Sequence, residues 1–316
     1  MSRIQASNFS DRIFTAVDLT FACSWKIIGS DLKTMRYPLL IFLLVLFESC
    51  DQTAGKTPPA FSLPPGYALD QMERIVLPDE MEEISGIAWQ ENELLAIEDE
   101  SSIIYRLDPK TGKILKKKKF EKNQDIEDIL VRGDTAWVLR SNGNLYRVVD
   151  FREKDSQTVI FEFPVQEKRD LEAFTSAIGE PFIWVFCKVC EWDKNSHHSS
   201  FFKFDLETMS FDSLPAGKIE RSQLTGLLSD NVLDELKLQP SAVATHPLTG
   251  EYFLLSSTGK WLMTLDKTMK PTSVFPLSPS LFKQPEGITF APDGTLYISN
   301  EAGDGRPNIL IFSYQP

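Results

Sequence analysis

Five segments of this chain repeat one pattern, and no other feature limits its fold so tightly. Each opens with an acidic residue or Gln, then an apolar residue or Pro, then Ser or Glu, then a small residue or Asp, then an apolar residue. They are Glu83–Ile87, Asp125–Ile129, Asp170–Phe174, Gln239–Val243 and Gln284–Ile288. A second apolar strand follows each: Leu94–Ile97, Ala136–Leu139, Phe182–Phe186, Tyr252–Leu255 and Leu296–Ser299. A third comes after it: Ile103–Leu107, Leu145–Val148, Phe201–Phe204, Trp261–Leu265 and Ile309–Phe312. Repeats of about 40–50 residues with three or four short strands are the signature of a propeller blade. The expected fold is therefore all-β, a single β-propeller of five blades, six being the competing count.

Two irregularities carry information. The interval between the third and fourth repeats is long, and its segment Ser222–Leu238 places leucines at 224, 227, 228, 233, 236 and 238. That spacing suits a helix better than a strand, so a short helical insertion is expected near 222–238, with a degenerate sixth blade as the alternative. The last repeat ends near Phe312 with three strands, and the segment from Arg74 to Pro78 would supply its missing outer strand. Such closure removes the exposed sheet edges that invite aggregation.

Ahead of the repeats, Leu39–Phe47 is an unbroken apolar run, preceded by Lys33 and Arg36 and followed by Glu48, Ser49 and Cys50. A bilayer-spanning helix needs about 20 residues, whereas a secretory signal core needs about 7–15. The run with its cysteine resembles a bacterial lipobox, although Phe47 and Glu48 depart from the usual residues; a signal cleaved nearby is the alternative. Met35 opens a complete short signal. The expected organisation is an upstream extension at 1–34, a lipoprotein-type signal at 35–49, a lipidated Cys50 with a flexible tether at 50–65, and the propeller at 66–316. The localisation expected is the cell envelope, lipid-anchored and facing the periplasm or exterior.

The chain of 316 residues carries a formal charge of −12, which repels phosphate backbones and disfavours a nucleic-acid partner. The basic run Lys116–Lys119 reads as a solvated outer strand. The repeats, with Ile84–Trp89, Asp125–Glu127, Asp170–Phe174, Gln284–Ile288 and Asp293–Asn300, resemble the SdiA-regulated (YjiK-like) β-propeller family over about residues 66–316. That resemblance implies the fold, an envelope location and calcium binding. A distant likeness to phytase-like propellers keeps an enzyme reading open.

In a propeller the first strand of each blade lines the central channel. Aligning the repeats puts Ser85, Glu127, Glu172, Ser241 and Glu286 at one equivalent position. Glu127, Glu172 and Glu286 are the candidate metal ligands, and Ca²⁺ suits a flexible set of carboxylates, hydroxyls and waters; a wide, wet channel without an ion is the other reading. The ends of the second strands, expected at the same mouth, contribute Glu98, Asp99 and Glu100, then Arg140, Lys188, Ser256, and Asn300 with Glu301, of which Glu98, Arg140, Lys188, Ser256 and Glu301 are the candidates for binding a small molecule. Cys187 and Cys190, near His197 and His198, leave three readings: a disulfide, free thiols or a zinc site. His246, before Pro247, reads as a turn residue. The function expected is an envelope-anchored binding or scaffold module acting on an unknown small molecule or protein, with calcium at the channel. The alternative is a metal-dependent phosphoesterase or esterase with Arg140 and Lys188 clamping the anion.

Overall fold

In a computed structural model, which describes residues 61–177 and 179–316, the five repeats form five antiparallel sheets. β1 (Glu73–Val76) comes first in the chain. Blade one is β2 (Ile84–Gln90), β3 (Glu93–Glu98), β4 (Ile103–Leu107) and β5 (Ile114–Lys119). Blade two is β6 (Ile126–Arg132), β7 (Thr135–Arg140), β8 (Leu145–Val149) and β9 (Gln157–Phe161). Blade three is β10 (Arg169–Thr175), β11 (Phe182–Cys190), β12 (His198–Asp205), and an outer edge split into β13 (Ser210–Phe211) and β14 (Gly217–Glu220). Blade four is β15 (Ala242–Thr245), β16 (Tyr252–Ser256), β17 (Trp261–Leu265) and β18 (Pro271–Pro276). Blade five is β19 (Pro285–Phe290), β20 (Leu296–Asn300) and β21 (Asn308–Phe312), completed by β1 with Arg74 opposite Leu310. The ring closes as the repeat pattern requires.

The insertion near 222–238 is short. A 3-10 turn at Arg221–Leu224 and a six-residue helix, α1 (Asp230–Glu235), lie between the third and fourth blades. Leu224, Leu233, Leu236 and Leu238 are buried against Val243, Tyr252 and Trp261, so those leucines pack between two blades and do not extend a long helix. The residues before Phe61, including Leu39–Phe47 and Cys50, lie outside the described residues. Leu63 is already buried against the fourth and fifth blades, so the packed chain begins a few residues before 66. Among the described residues no helix is long and apolar enough to cross a membrane. Lys116–Lys119 fall on β5, an outer strand with mostly exposed side chains.

Apolar faces of adjacent blades form the core. The inner strands β2 and β19 are buried over most of their length. Three blades turn into their outer strand through the same device: Asp108, Asp205 and Asp266 each accept backbone N–H bonds from residues two to four further on. Such Asx turns fix the reversal with a short side chain.

Inner strands also touch one another closely, and this explains the small residue in the repeat. A Cβ added to Gly86 would lie 2.5 Å from the Asp128 Cα and 2.7 Å from the Ile129 N of the next blade. One added to Gly287 would strike the Ser85 carbonyl and the Ser299 hydroxyl. Both neighbours are backbone or buried hydroxyl, which cannot swing away. Overpacking of this kind costs about 1–3 kcal/mol. Gly86→Ala and Gly287→Ala are each expected to lower the melting temperature by roughly 3 °C or more, measured by calorimetry against an exposed control such as Gly305→Ala, where an added Cβ approaches no atom closer than 3.4 Å and the backbone is not left-handed.

Candidate functional site

Four of the five inner strands depart from regular pairing near the aligned position. Glu127 is the extra residue between Ile126, opposite Arg140, and Asp128, opposite Leu139. Glu172 is extra between Leu171 and Ala173, and Glu286 between Pro285 and Gly287. Blade one has one extra residue between Ile84 and Ile87. In blade four Ser241 sits just ahead of β15, its N–H bonded to Leu255 O at 2.8 Å. A bulge re-aims the side chain of its unpaired residue. Ser85, Glu127, Glu172, Ser241 and Glu286 all line one cavity of about 500 Å³ at the start of the inner strands.

The cavity is acidic. Asp99, Asp125, Glu127, Asp170, Glu172, Glu286 and Glu301 line it, with Arg169 and Lys188 as its only lining cations among the described residues. Oxygens of Glu127, Asp170 and Glu172 lie within 4.8 Å of one another, as do those of Glu83, Asp99 and Glu301. At that spacing two ionised carboxylates repel by about 3 kcal/mol at an effective dielectric near 20. The opposite end of the same strands opens on a different cavity of about 340 Å³, where Trp89, Val131, Ile288 and Phe290 supply much of the wall. All the crowded carboxyls are at one mouth.

Their titration reflects it. Burial, then Glu172 and Asp125, push Glu127 well above the usual carboxylate range. Burial raises Glu172 and Glu286 too, with Lys188 opposing in both cases. Burial with Glu286, Glu83 and Asp99 pushes Glu301 up to about 8, and burial with Glu83, Glu98 and Asp125 pushes Asp99 up to about 6. Burial works against the charge of Lys188, but Glu172 and Glu286 outweigh it and hold the ammonium above its ordinary value.

The hydroxyls have structural duties. Ser85 donates to Glu127 O at 2.6 Å and Ile126 O at 3.1 Å, and Ser241 donates to Pro285 O at 3.0 Å. Each ties its blade to the bulge of a neighbour. Asp128, fully buried behind the mouth, accepts from Ile129 N at 2.8 Å and from Phe174 N at 3.2 Å, joining blades two and three.

Of the second-strand candidates, Lys188 and Glu301 line the cavity, and Glu98, Arg140 and Ser256 do not. The lining falls one residue later, on Asp99 and Ser141. Asp99, Ser141 and Glu301 each donate their backbone N–H to the first residue of their repeat, Glu83, Asp125 and Gln284, at 3.2, 3.1 and 3.0 Å. A one-residue change of phase turns a side chain to the other face of a strand, and the inner-strand bulge supplies that change. Arg140 borders a separate recess with Asn144, Tyr146 and Glu121. Ser256 donates to Gln239 O at 2.7 Å and accepts from Gly259 N at 3.0 Å, closing a turn. Asp125 and Asp170 were readable as lining residues, since each stands two positions before a channel glutamate and residues two apart share a strand face.

Cys187 and Cys190 are joined in a disulfide, with Cα atoms 6.1 Å apart. Residues three apart on a regular strand face opposite ways, but Lys188 is an extra residue on β11, between Cys187 opposite Leu171 and Val189 opposite Asp170. The bulge brings both sulfurs to one face. His198 Nε2 lies 3.2 Å from Asp193 Oδ1. His246 is a turn residue: its Nδ1 accepts from Leu248 N and Thr249 N, both at 3.2 Å.

The SdiA-regulated family pattern matches the later part of this chain. Residues 207–310 carry the match, spanning the fourth repeat and most of the fifth. No curated protein matches the chain in sequence. Among solved structures, a luciferin-regenerating enzyme is 9% identical, covering 78% of this chain and 95% of its own, with a TM-score of 0.50. A glutaminyl cyclase from Myxococcus xanthus is 9% identical, covering 77% of this chain and 96% of its own, with a TM-score of 0.49. At 9% identity the likeness to the luciferin-regenerating enzyme concerns the fold alone.

The raised carboxyls set a pH dependence. A carboxyl whose folded-state pKa is raised holds its proton in the native state after the unfolded chain has released it. Its contribution to stability is full below the unfolded value and lost as pH rises through the folded one. For Glu301 that window runs from the ordinary 4.5 to about 8, and for Asp99 from 3.8 to about 6. In chelator the melting temperature is expected to fall between pH 4.5 and 8, and Glu301→Gln to flatten that fall. A melting temperature that rises across the interval in both proteins would contradict the assignment.

Proposed function

We infer that this protein is an envelope-anchored binding module that takes a calcium ion at the acidic mouth of its channel. The observation that carries this reading is the lining itself: seven carboxyls against two cations around about 500 Å³. Like charges so placed must take up protons or a cation. The donors are all oxygen, which suits a hard cation such as Ca²⁺ with its flexible six to eight ligands. Glu127 and Glu172, with Asp170, and the trio Glu83, Asp99 and Glu301 are the sets whose oxygens lie close enough to share an ion. Glu286 borders the same space.

The hydrolase reading asks Arg140 and Lys188 to clamp an anionic substrate beside the metal. Arg140 borders another recess, Lys188 is paired with Glu172, and the surrounding carboxyls repel an anion. Binding is the reading the geometry favours. The envelope location rests on the apolar run at Leu39–Phe47 with Cys50, and on the resemblance. Two or three acyl chains at roughly 0.8 kcal/mol per CH₂ would hold the protein on a membrane.

Calcium at a hundredfold excess over its Kd stabilises by about 2.7 kcal/mol, or roughly 5–10 °C. The wild-type chain is expected to show such a shift in calorimetry, and the variant Glu83→Gln, Asp99→Asn, Glu301→Gln to lose most of it. A wild type whose melting temperature ignores calcium removes the calcium claim. Metabolic labelling with an alkyne fatty acid is expected to mark the wild type and not Cys50→Ala; equal labelling of both would exclude acylation at that thiol.

A further inference from the structure

One of the two acidic trios already has a cation beside it. Lys188 and Glu172 are the extra residues of facing bulges on β11 and β10, so each is displaced from regular pairing at the same level. Both line the cavity, and the Lys188 ammonium contacts both carboxylate oxygens of Glu172. Their side chains are only 18% and 10% exposed. Glu127 and Asp170 offer oxygens within 4.8 Å of the Glu172 carboxylate.

The other cations near this mouth are engaged elsewhere. Arg169 donates to Asn142 O at 2.6 Å and Glu167 O at 3.0 Å, with its guanidinium 5.5 Å from the Phe163 ring centre. Lys260 donates to Lys283 O. Lys283 pairs with Asp304, which is outside the lining. Among the described residues Lys188 is the one cation in a salt bridge with a cavity carboxyl. Around Glu83, Asp99 and Glu301 no described salt bridge forms, and Asp99 Oδ1 is buried with no hydrogen-bond partner.

We propose that Lys188 is the resident counter-cation of the channel and limits how many metal ions the mouth accepts. Its ammonium neutralises the Glu127–Asp170–Glu172 side, so a divalent ion is excluded there and directed to the Glu83–Asp99–Glu301 side. The Cys187–Cys190 bridge spans the β11 bulge and positions Lys188 over the carboxyls. This inference rests on the cation-binding reading given above. It adds a stoichiometry and names the side chain that sets it.

The test is calorimetric titration of Ca²⁺ into the wild type, Lys188→Met and Lys188→Arg, with melting temperatures in chelator. One ion is expected in the wild type and in Lys188→Arg, and a second ion, or a first bound at least about tenfold tighter, in Lys188→Met. In chelator Lys188→Met should melt roughly 5 °C or more lower, because it leaves buried carboxyls without their partner. Adding Glu172→Gln to Lys188→Met should restore much of that loss. One ion of unchanged affinity in both wild type and Lys188→Met keeps the channel reading and overturns the role of Lys188. Absence of calcium binding in every protein, with the melting loss and its rescue intact, keeps Lys188 as counter-cation and overturns the calcium reading. Absence of both effects overturns both. Unchanged circular dichroism in Lys188→Arg certifies that the fold tolerates changes at this position.

Discussion

Repulsion among carboxyls gathered on one axis is the constraint to which the rest of this structure answers. A propeller brings the same position of every repeat to its channel, so a glutamate repeated in the sequence becomes a cluster in space. With oxygens within 4.8 Å, each ionised pair costs about 3 kcal/mol at an effective dielectric near 20, which is a sizeable share of a domain's net stability of about 5–15 kcal/mol. Burial adds to the penalty. The protein answers with raised proton affinities, with one paired lysine, and with serines at two of the five aligned positions.

The scaffold tolerates this cluster because the bulges that create it also join the blades. Ser85 and Ser241 bond to carbonyls beside neighbouring bulges, and Asp128 bridges blades two and three from behind. Gly86 and Gly287 let the inner strands approach until only a hydrogen fits. The strain of a charged mouth is thereby carried by backbone bonds and close contacts, while the apolar faces between blades supply the bulk of the stability. Position and chemistry are coupled: the residue that leaves the ladder is the one that reaches the channel.

Much of this is legible in the sequence. Five repeats gave the five blades, and their common offset placed Ser85, Glu127, Glu172, Ser241 and Glu286 in one cavity. Closure by the segment at Arg74 was legible too, because the last repeat lacked a strand. The second-strand contributions were harder to read. Glu98, Arg140 and Ser256 look like mouth residues when strands are taken as regular, yet of the run Glu98–Glu100 only Asp99 reaches the cavity, and Ser141 comes forward in place of Arg140. The bulge on β11 hid the pairing of Cys187 with Cys190, since a regular strand sends them to opposite faces. A bulge has no signature in strand periodicity when its extra residue is polar and its neighbours are apolar. Asp125 and Asp170 did leave a trace, two positions before their glutamates.

The central claim is that this mouth is completed by a bound cation. The most direct measurement is the anomalous diffraction of crystals grown in calcium, collected at long wavelength. The account predicts an anomalous peak in the acidic cavity, about 2.3–2.6 Å from carboxylate oxygens and on the side away from Lys188. A cavity holding only water, with Glu83, Asp99 and Glu301 oriented as they are in chelator, would contradict it.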